Sequence, residues 1–347
     1  MGLFAKTKAG LHIGKDYLSF ALLESGRGGY RVKASEVIRL PKQTIRHSPG
    51  ESNILNSEEI KNNLKTLFEK YPGIPSISLS LPDLSSRMIL IEVKKALPKE
   101  NELCQMIKWN MEQKFLTQIG DSQFSHQLIS QSNHSFKSPE SDGVPGNKYY
   151  FILGTAILKN ILSEYQTLPE SFHITPKVMS NASFNLYNLY HDYISGISGE
   201  GNFLFLNRID HYFTLMVFEK KILRYIRTIA LRAPENGSEE ERTAERAAEE
   251  RAMIEEKNNL KIEGEIESSL HYHFKEQEVQ SKSDIHLFIS GPQAMPAFGP
   301  MGEPFKLAIH LLKPDLLANL HLTGADLLKN EEISLLTPAI AAAGALN

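Results

Sequence analysis

The strand pattern from Ala9 to Leu40 recurs in outline from Asn202 to Leu231, and this duplication narrows the possible folds more than any other feature of the chain. Each copy opens on a short apolar strand, LHIG at 11–14 and FLFL at 203–206. A short polar loop, an alternating strand, a tight turn (GRGG at 26–29, EKK at 219–221) and a third strand follow. In the first copy Leu18, Phe20 and Leu22 share one face of the second strand. In its third strand Tyr30, Val32, Ala34, Ile38 and Leu40 oppose Arg31, Lys33, Ser35 and Arg39. Side chains alternate across a strand, so a period of two describes a sheet with one covered face. A meander heading each half predicts an α/β protein of two lobes with a cleft between them.

Length and composition agree with this. A chain of 347 residues is long enough for roughly two domains. With 41% hydrophobic and 23% charged residues it reads as an ordinary soluble globular protein. A net charge of −3 gives no electrostatic case for a nucleic-acid partner. Cys104 is the only cysteine, which excludes an intrachain disulfide, fits a cytosolic location, and reads as a small buried hydrophobe. No stretch reaches the roughly 18 apolar residues of a membrane span, and MGLFAKTKAG has no signal-peptide core. Any membrane role is therefore expected to run through a partner, with no direct insertion.

Along the chain, Ser57 caps a helix with acids in its first turn, and Pro72-Gly73 ends it. SISLSL (76–81) alternates strictly, a turn follows at Pro82-Asp83, and MILIEV (88–93) is a second strand. In the helix after it, Ile107, Met111 and Phe115 line one side, and Trp109 faces a second surface. Residues 130–147 are rich in Ser, Asn, Pro and Gly and read as a long surface loop. A buried strand (KYYFILGTA), two helices and a Gly-rich connector (GISGEGN) complete the first half. In the second half, 235–283 begins with a run of Glu, Arg and Ala that predicts a solvated, weakly packed helix. IHLFISG (285–291) is a core strand, and Pro338 opens a last helix of small apolar residues suited to close packing.

Four segments in this order carry a family resemblance: AGLHIGKDYLSFALLE, IKWNMEQKF, IEGEIESSLHYHF and TPAIAAAGAL. Together they resemble the actin-like ATPase superfamily and, within it, the PilM family of type IV pilus assembly proteins, related to the division protein FtsA. The resemblance implies an actin-like fold of two RNase H-like lobes with a small subdomain inserted in the first. It implies a first lobe over 1–200 (core 1–75 and 148–200, subdomain 76–147). The second lobe would span 201–347, with core 201–234 and 284–347 and a helical upper part at 235–283.

An actin-like cleft holds ATP through phosphate loops that need a close-approach glycine and an acid for hydrated Mg²⁺. Against the family's DIGSSSVK, this chain reads HIGKDYLS: His12 replaces the acid, Gly14 is kept, Lys15 and Asp16 replace small polar residues, and Ser19 replaces lysine. Against DIGASTT it reads NRIDHYFT, with Asn207 for the acid and Ile209 for the glycine. SGGGA becomes SGPQA, keeping Gly291 but placing Pro292 beside it, and the hinge acids fall on Ser180 and Ala182. The resemblance thus implies a degenerate cleft (His12, Gly14, Asp16, Asn207, Asp210, Gly291) with no catalytic residue and no cofactor. The alternative is an active ATPase that uses the shifted acids Asp16 and Asp210 with ATP and Mg²⁺.

The expected function is a non-catalytic cytoplasmic scaffold, peripheral to the inner membrane. PilM-like proteins bind the cytoplasmic N-terminal tail of PilN, a bitopic membrane protein, in a groove of the first lobe. Here that groove would be lined by Leu84, Arg87, Ile89, Trp109 and Met111, with other pilus platform or motor proteins as further partners. A GspL-like component of type II secretion is the close variant. No metal site is expected: His271 and His273 point apart on a helix, and no Walker A, G-x-S-x-G or Cys/His zinc pattern is present.

Overall fold

The computed structural model describes residues 7–26, 29–94, 96–116, 119–132, 148–209, 211–232, 244–274, 285–291, 307–313, 316, 320–321 and 330–345. The first meander is β1 (Thr7–Ile13), β2 (Tyr17–Gly26) and β3 (Gly29–Arg39), all antiparallel. Helix α1 (Ser57–Lys70) follows, capped by Asn56 rather than Ser57; the Asn56 side chain accepts from the Glu59 N–H at 3.2 Å. Strand β4 (Ser76–Leu81) joins β1 in parallel, and β8 (Thr175–Asn181) joins β4 in parallel. The strand pair β14 (Leu320–His321) and β3 closes the far edge, so the sheet order is β14-β3-β2-β1-β4-β8.

The second meander repeats the plan. Strands β9 (Phe203–Ile209), β10 (Tyr212–Glu219) and β11 (Ile222–Ala230) are antiparallel, and β12 (Ile285–Ser290) and β13 (Leu307–Leu311) extend β9 in parallel. The order β11-β10-β9-β12-β13 matches β3-β2-β1-β4-β8. Both lobes are RNase H-like, as the family resemblance implies.

Between β4 and β8 the chain detours through a small unit. A single 3-10 turn (Asp83–Ser85) leads to β5 (Arg87–Lys94), α2 (Glu100–Phe115), β6 (Ser122–Ser132) and β7 (Tyr149–Leu158). The strands form a separate sheet in the order β5-β7-β6. The insertion is therefore displaced from the expected 76–147. Strand β4 belongs to the main sheet, because SISLSL pairs with β1, and β7 belongs to the small one.

The helices are shared out in an informative way. Helix α3 (Lys159–Glu170) and α1 cover one face of the first sheet. Helix α4 (Ala182–Ser198) leaves its own lobe and packs Leu186, Tyr190 and Ile194 against Phe203, Phe205 and Phe288 of the second sheet. Helix α6 (Asn330–Gly344) makes the reverse journey, packing Leu336, Ala339, Ile340 and Ala343 onto Ala21, Leu23 and Val32. Pro338 lies inside α6 rather than at its start. The small residues act as expected: a Cβ on Gly10 of β1 would collide with the Ala339 carbonyl and the Ala343 N–H. Helix α5 (Ala244–Phe274) covers the other face of the second sheet through Ile262, Ile266, Leu270 and Phe274, four residues apart. Only its charged first part is the solvated helix that the composition predicts.

Candidate functional site: a filled inter-lobe cleft

The two β-hairpin tips face each other across the lobes. In the first, the Gly14 N–H donates to the Tyr17 carbonyl at 2.9 Å and closes a tight turn. The Tyr17 ring lies over Gly14 and leaves no room for even a Cβ. Gly14 thus serves close approach, but the group that approaches is a fully buried tyrosine ring. His12 is fully buried and donates from Nδ1 to the Ser80 carbonyl at 3.0 Å. Burial brings its imidazole down to about 4, so it is neutral at physiological pH. Asp16 points to solvent on the outside of the turn.

In the second tip Asn207 is buried, and its Nδ2 donates to Ser183 Oγ at 2.7 Å. Ile209 occupies the apolar core beside Tyr212 and Met216. Gly291 has φ +137, and a Cβ there would strike the Arg208 carbonyl, so this glycine is required by backbone packing. Asp210 and Pro292 lie outside the described residues.

Three residues that the sequence did not single out complete the cleft. His47, from the loop after β3, stacks on His211 of the second tip with ring centroids 5.3 Å apart. It also meets Tyr212 edge-on at 5.9 Å. Burial, with the neighbouring His211, His12 and Lys15 adding repulsion, holds His47 well below the usual imidazole range. Burial brings His211 to about 4, with Lys15 contributing. Asp83 sits fully buried at the end of β4. Its carboxylate accepts from the Ser183 N–H at 3.2 Å, from the Ser183 hydroxyl, and from Thr214 Oγ1 at 2.8 Å on the second lobe. Its own N–H donates to the Tyr212 hydroxyl at 3.2 Å. Burial raises Asp83 above the ordinary aspartate range, against these hydrogen bonds. The one sequence signal was the Pro82-Asp83 turn, which does not announce a bond between lobes.

The proposed groove residues divide. Ile89 and Met111 are 6% and 0% exposed in the core beneath α2, so they are not surface contacts. Their strand and helix periodicities pointed them inward, towards the small sheet. Leu84 is half-buried against the inter-lobe cluster. Trp109 is 60% exposed on the face of α2 opposite Ile107. Arg87 is half-buried with its guanidinium 5.5 Å from the Phe115 ring centroid. Phe115 and Leu116 are 37% and 90% exposed, so Phe115 does not continue the buried stripe of Ile107 and Met111. Leu116 stands one heptad beyond Trp109 and ends the helix in the left-handed conformation, φ 50. Strand β6 pairs only with β7 among the described strands.

Two RNase H-like lobes around a central cleft, with a small subdomain inserted in the first, define an actin-like fold. In comparisons with solved structures, the chain is similar to a chain of the PilM–PilN type IV pilus biogenesis complex, at 14% identity and TM-score 0.68 over 97% of this chain and 96% of that one. A Bacteroides thetaiotaomicron protein with an actin-like ATPase fold is also similar, at 11% identity and TM-score 0.45, covering 97% and 99%. So is the cytoplasmic domain of EpsL, an inner membrane component of the type II secretion system of Vibrio cholerae, at 9% identity and TM-score 0.46, covering 90% and 93%. No protein-family model and no curated protein matches the chain. Among the described residues no helix is long and apolar enough to cross a membrane.

Proposed function

We propose that this protein is a non-catalytic, cytoplasmic scaffold of a type IV pilus inner-membrane platform that binds the N-terminal cytoplasmic tail of a PilN-like bitopic membrane protein. The observation that carries the reading is the Tyr17 ring packed on Gly14, where an actin-like ATPase needs bare backbone for phosphate. The buried His12 and the tethered Asn207 support it, since neither offers a carboxylate to hydrated Mg²⁺. With the interior closed, the outer faces of the small subdomain are left to act. Trp109 and Leu116, exposed one heptad apart on α2, and Phe115 beneath the Arg87 guanidinium offer apolar anchors and a cation to a peptide with apolar side chains and an acidic group. The second edge of β6 offers main-chain hydrogen bonds to an added strand.

Calorimetry tests both halves. Synthetic tails of pilus membrane proteins should bind the full chain and lose about tenfold or more in affinity with Trp109→Ala or Arg87→Ala. Mg-ATP should give no saturable heat. Micromolar Mg-ATP binding that Asp16→Ala abolishes would overturn the scaffold reading in favour of the shifted-acid ATPase.

A further inference from the structure

We propose that Glu100, Cys104 and His126 form a binding site for one zinc-class divalent cation that pins the first turns of α2 to β6. One ligand atom from each of the three side chains lies within 4.8 Å of the other two. Glu100 and Cys104 stand four residues apart at the start of α2, so both project from the same side of the helix. His126 comes from the middle of β6.

The sheet places His126 on the side that α2 covers. His126 pairs directly with Gly154 of β7, and paired residues on neighbouring strands project to the same face. A Cβ on Gly154 would lie 2.8 Å from Ile107 Cγ2, so the face shared by Gly154 and His126 is the one under α2. The glycine lets the helix settle low on the sheet, and that approach brings the His126 ring up to Glu100 and Cys104.

The geometry suits a small tetrahedral ion. His126 Nε2 and Glu100 Oε2 are 3.5 Å apart. A tetrahedral ion with metal–ligand distances of about 2.0–2.1 Å separates its ligands by roughly 3.4 Å. The donor set of thiolate, imidazole and carboxylate favours zinc over the oxygen-seeking magnesium and calcium. Cys104 and His126 are half-buried and Glu100 is exposed, so the ion has an entry path and water fills its fourth position. On binding, the Cys104 thiol releases its proton to solvent and the sulfur lone pair forms the metal–sulfur bond, so no oxidant or reductant is needed. Cys104 thereby changes from the inert buried hydrophobe expected from sequence to a half-exposed ligand.

The competing arrangement is a His126–Glu100 ion pair beside an uninvolved thiol. The test uses the full chain, stripped with chelator and titrated with Zn²⁺ by calorimetry and with Co²⁺ by absorption. One equivalent should bind, the cobalt form should show a thiolate charge-transfer band in the near ultraviolet, and zinc should slow alkylation of Cys104. Cys104→Ser should abolish the band, and Cys104→Ser and His126→Gln should each weaken binding about tenfold or more. Glu100→Gln alters only an exposed side chain and should weaken binding in a protein of unchanged unfolding midpoint. Absence of saturable zinc binding, or undiminished binding in both Cys104→Ser and His126→Gln, would overturn the site. The second result would move the ion elsewhere, for instance to the His286–His310 pair, whose ring nitrogens lie 2.9 Å apart.

Discussion

His12, His47 and His211 are three imidazoles held neutral in a cleft where the family pattern carries acids and phosphate-binding backbone. Each binds a proton more readily in the unfolded chain than in the folded one. For His12 and His211 this contribution to stability is present above about pH 6.5 and lost as pH falls towards about 4, and His47 acts in the same direction. The loss is on the order of 1–3 kcal/mol for each of His12 and His211. Asp83 has the opposite sign: its raised folded value favours the folded state at low pH, and that advantage fades as pH rises above the ordinary aspartate range. With three rings against one carboxyl, urea midpoints should fall from pH 7 to pH 5. His12→Gln, which keeps a donor for the Ser80 carbonyl but cannot titrate, should flatten that fall, and an unchanged slope would exclude His12 as a source. Asp83→Ala strands the Ser183 and Thr214 donors and should cost about 2–4 kcal/mol in denaturant titration. Asp83→Asn should cost less, because an amide oxygen still accepts from both. Substitutions at 12, 207 and 209 were legible in the sequence as losses of chemistry. What filled the space was not: the Tyr17 ring folds back over Gly14 within one tight turn, where no periodic pattern marks it, and His47 meets His211 from a distant loop.

At the scale of elements, the meanders, α1, α4 and the SISLSL and IHLFISG strands followed from period, apolar content and capping, although β1, β4 and β9 are buried on both faces rather than the single covered face that a period of two predicts. Strands β6 and β8 did not. SQFSHQLISQS and TPKVMSN carry too few apolar residues to stand out, and pairing with β7 and β4 defines them. The stripe Ile262, Ile266, Leu270 and Phe274 anchors α5 behind a charged run that hides it from a composition argument. Two predictions belong here. Gly10→Ala pushes a methyl group into the α6 backbone and should destabilise the protein by about 1–3 kcal/mol or more in thermal and urea unfolding, whereas Gly26→Ala, open on all sides, should not. Trp109→Ala should change stability by no more than about 0.5 kcal/mol while abolishing tail capture, which separates a contact surface from a structural one. Loss of stability equal to that of Gly10→Ala would return Trp109 to the core of the small unit.

For the whole molecule, the two lobes are joined through the Asp83–Thr214 bond, the Asp83 N–H to Tyr212 hydroxyl bond and the His47–His211 stack. On the scaffold reading proposed above, nucleotide drives no closure of the lobes. Hydrogen exchange of β1, β4 and β9 should accordingly be the same with and without Mg-ATP. The exchanged helices have a further result. A break in the backbone at the Gly199–Asn202 turn would give two fragments, each carrying the cover for one face of the other's sheet and lacking it on its own. Separately expressed, both should misfold or aggregate on bare Phe203, Phe205 and Phe288 or on Ala21, Leu23 and Val32. Expressed together, they should reassemble into one particle, so the repeated halves have become obligate companions within a single gene product.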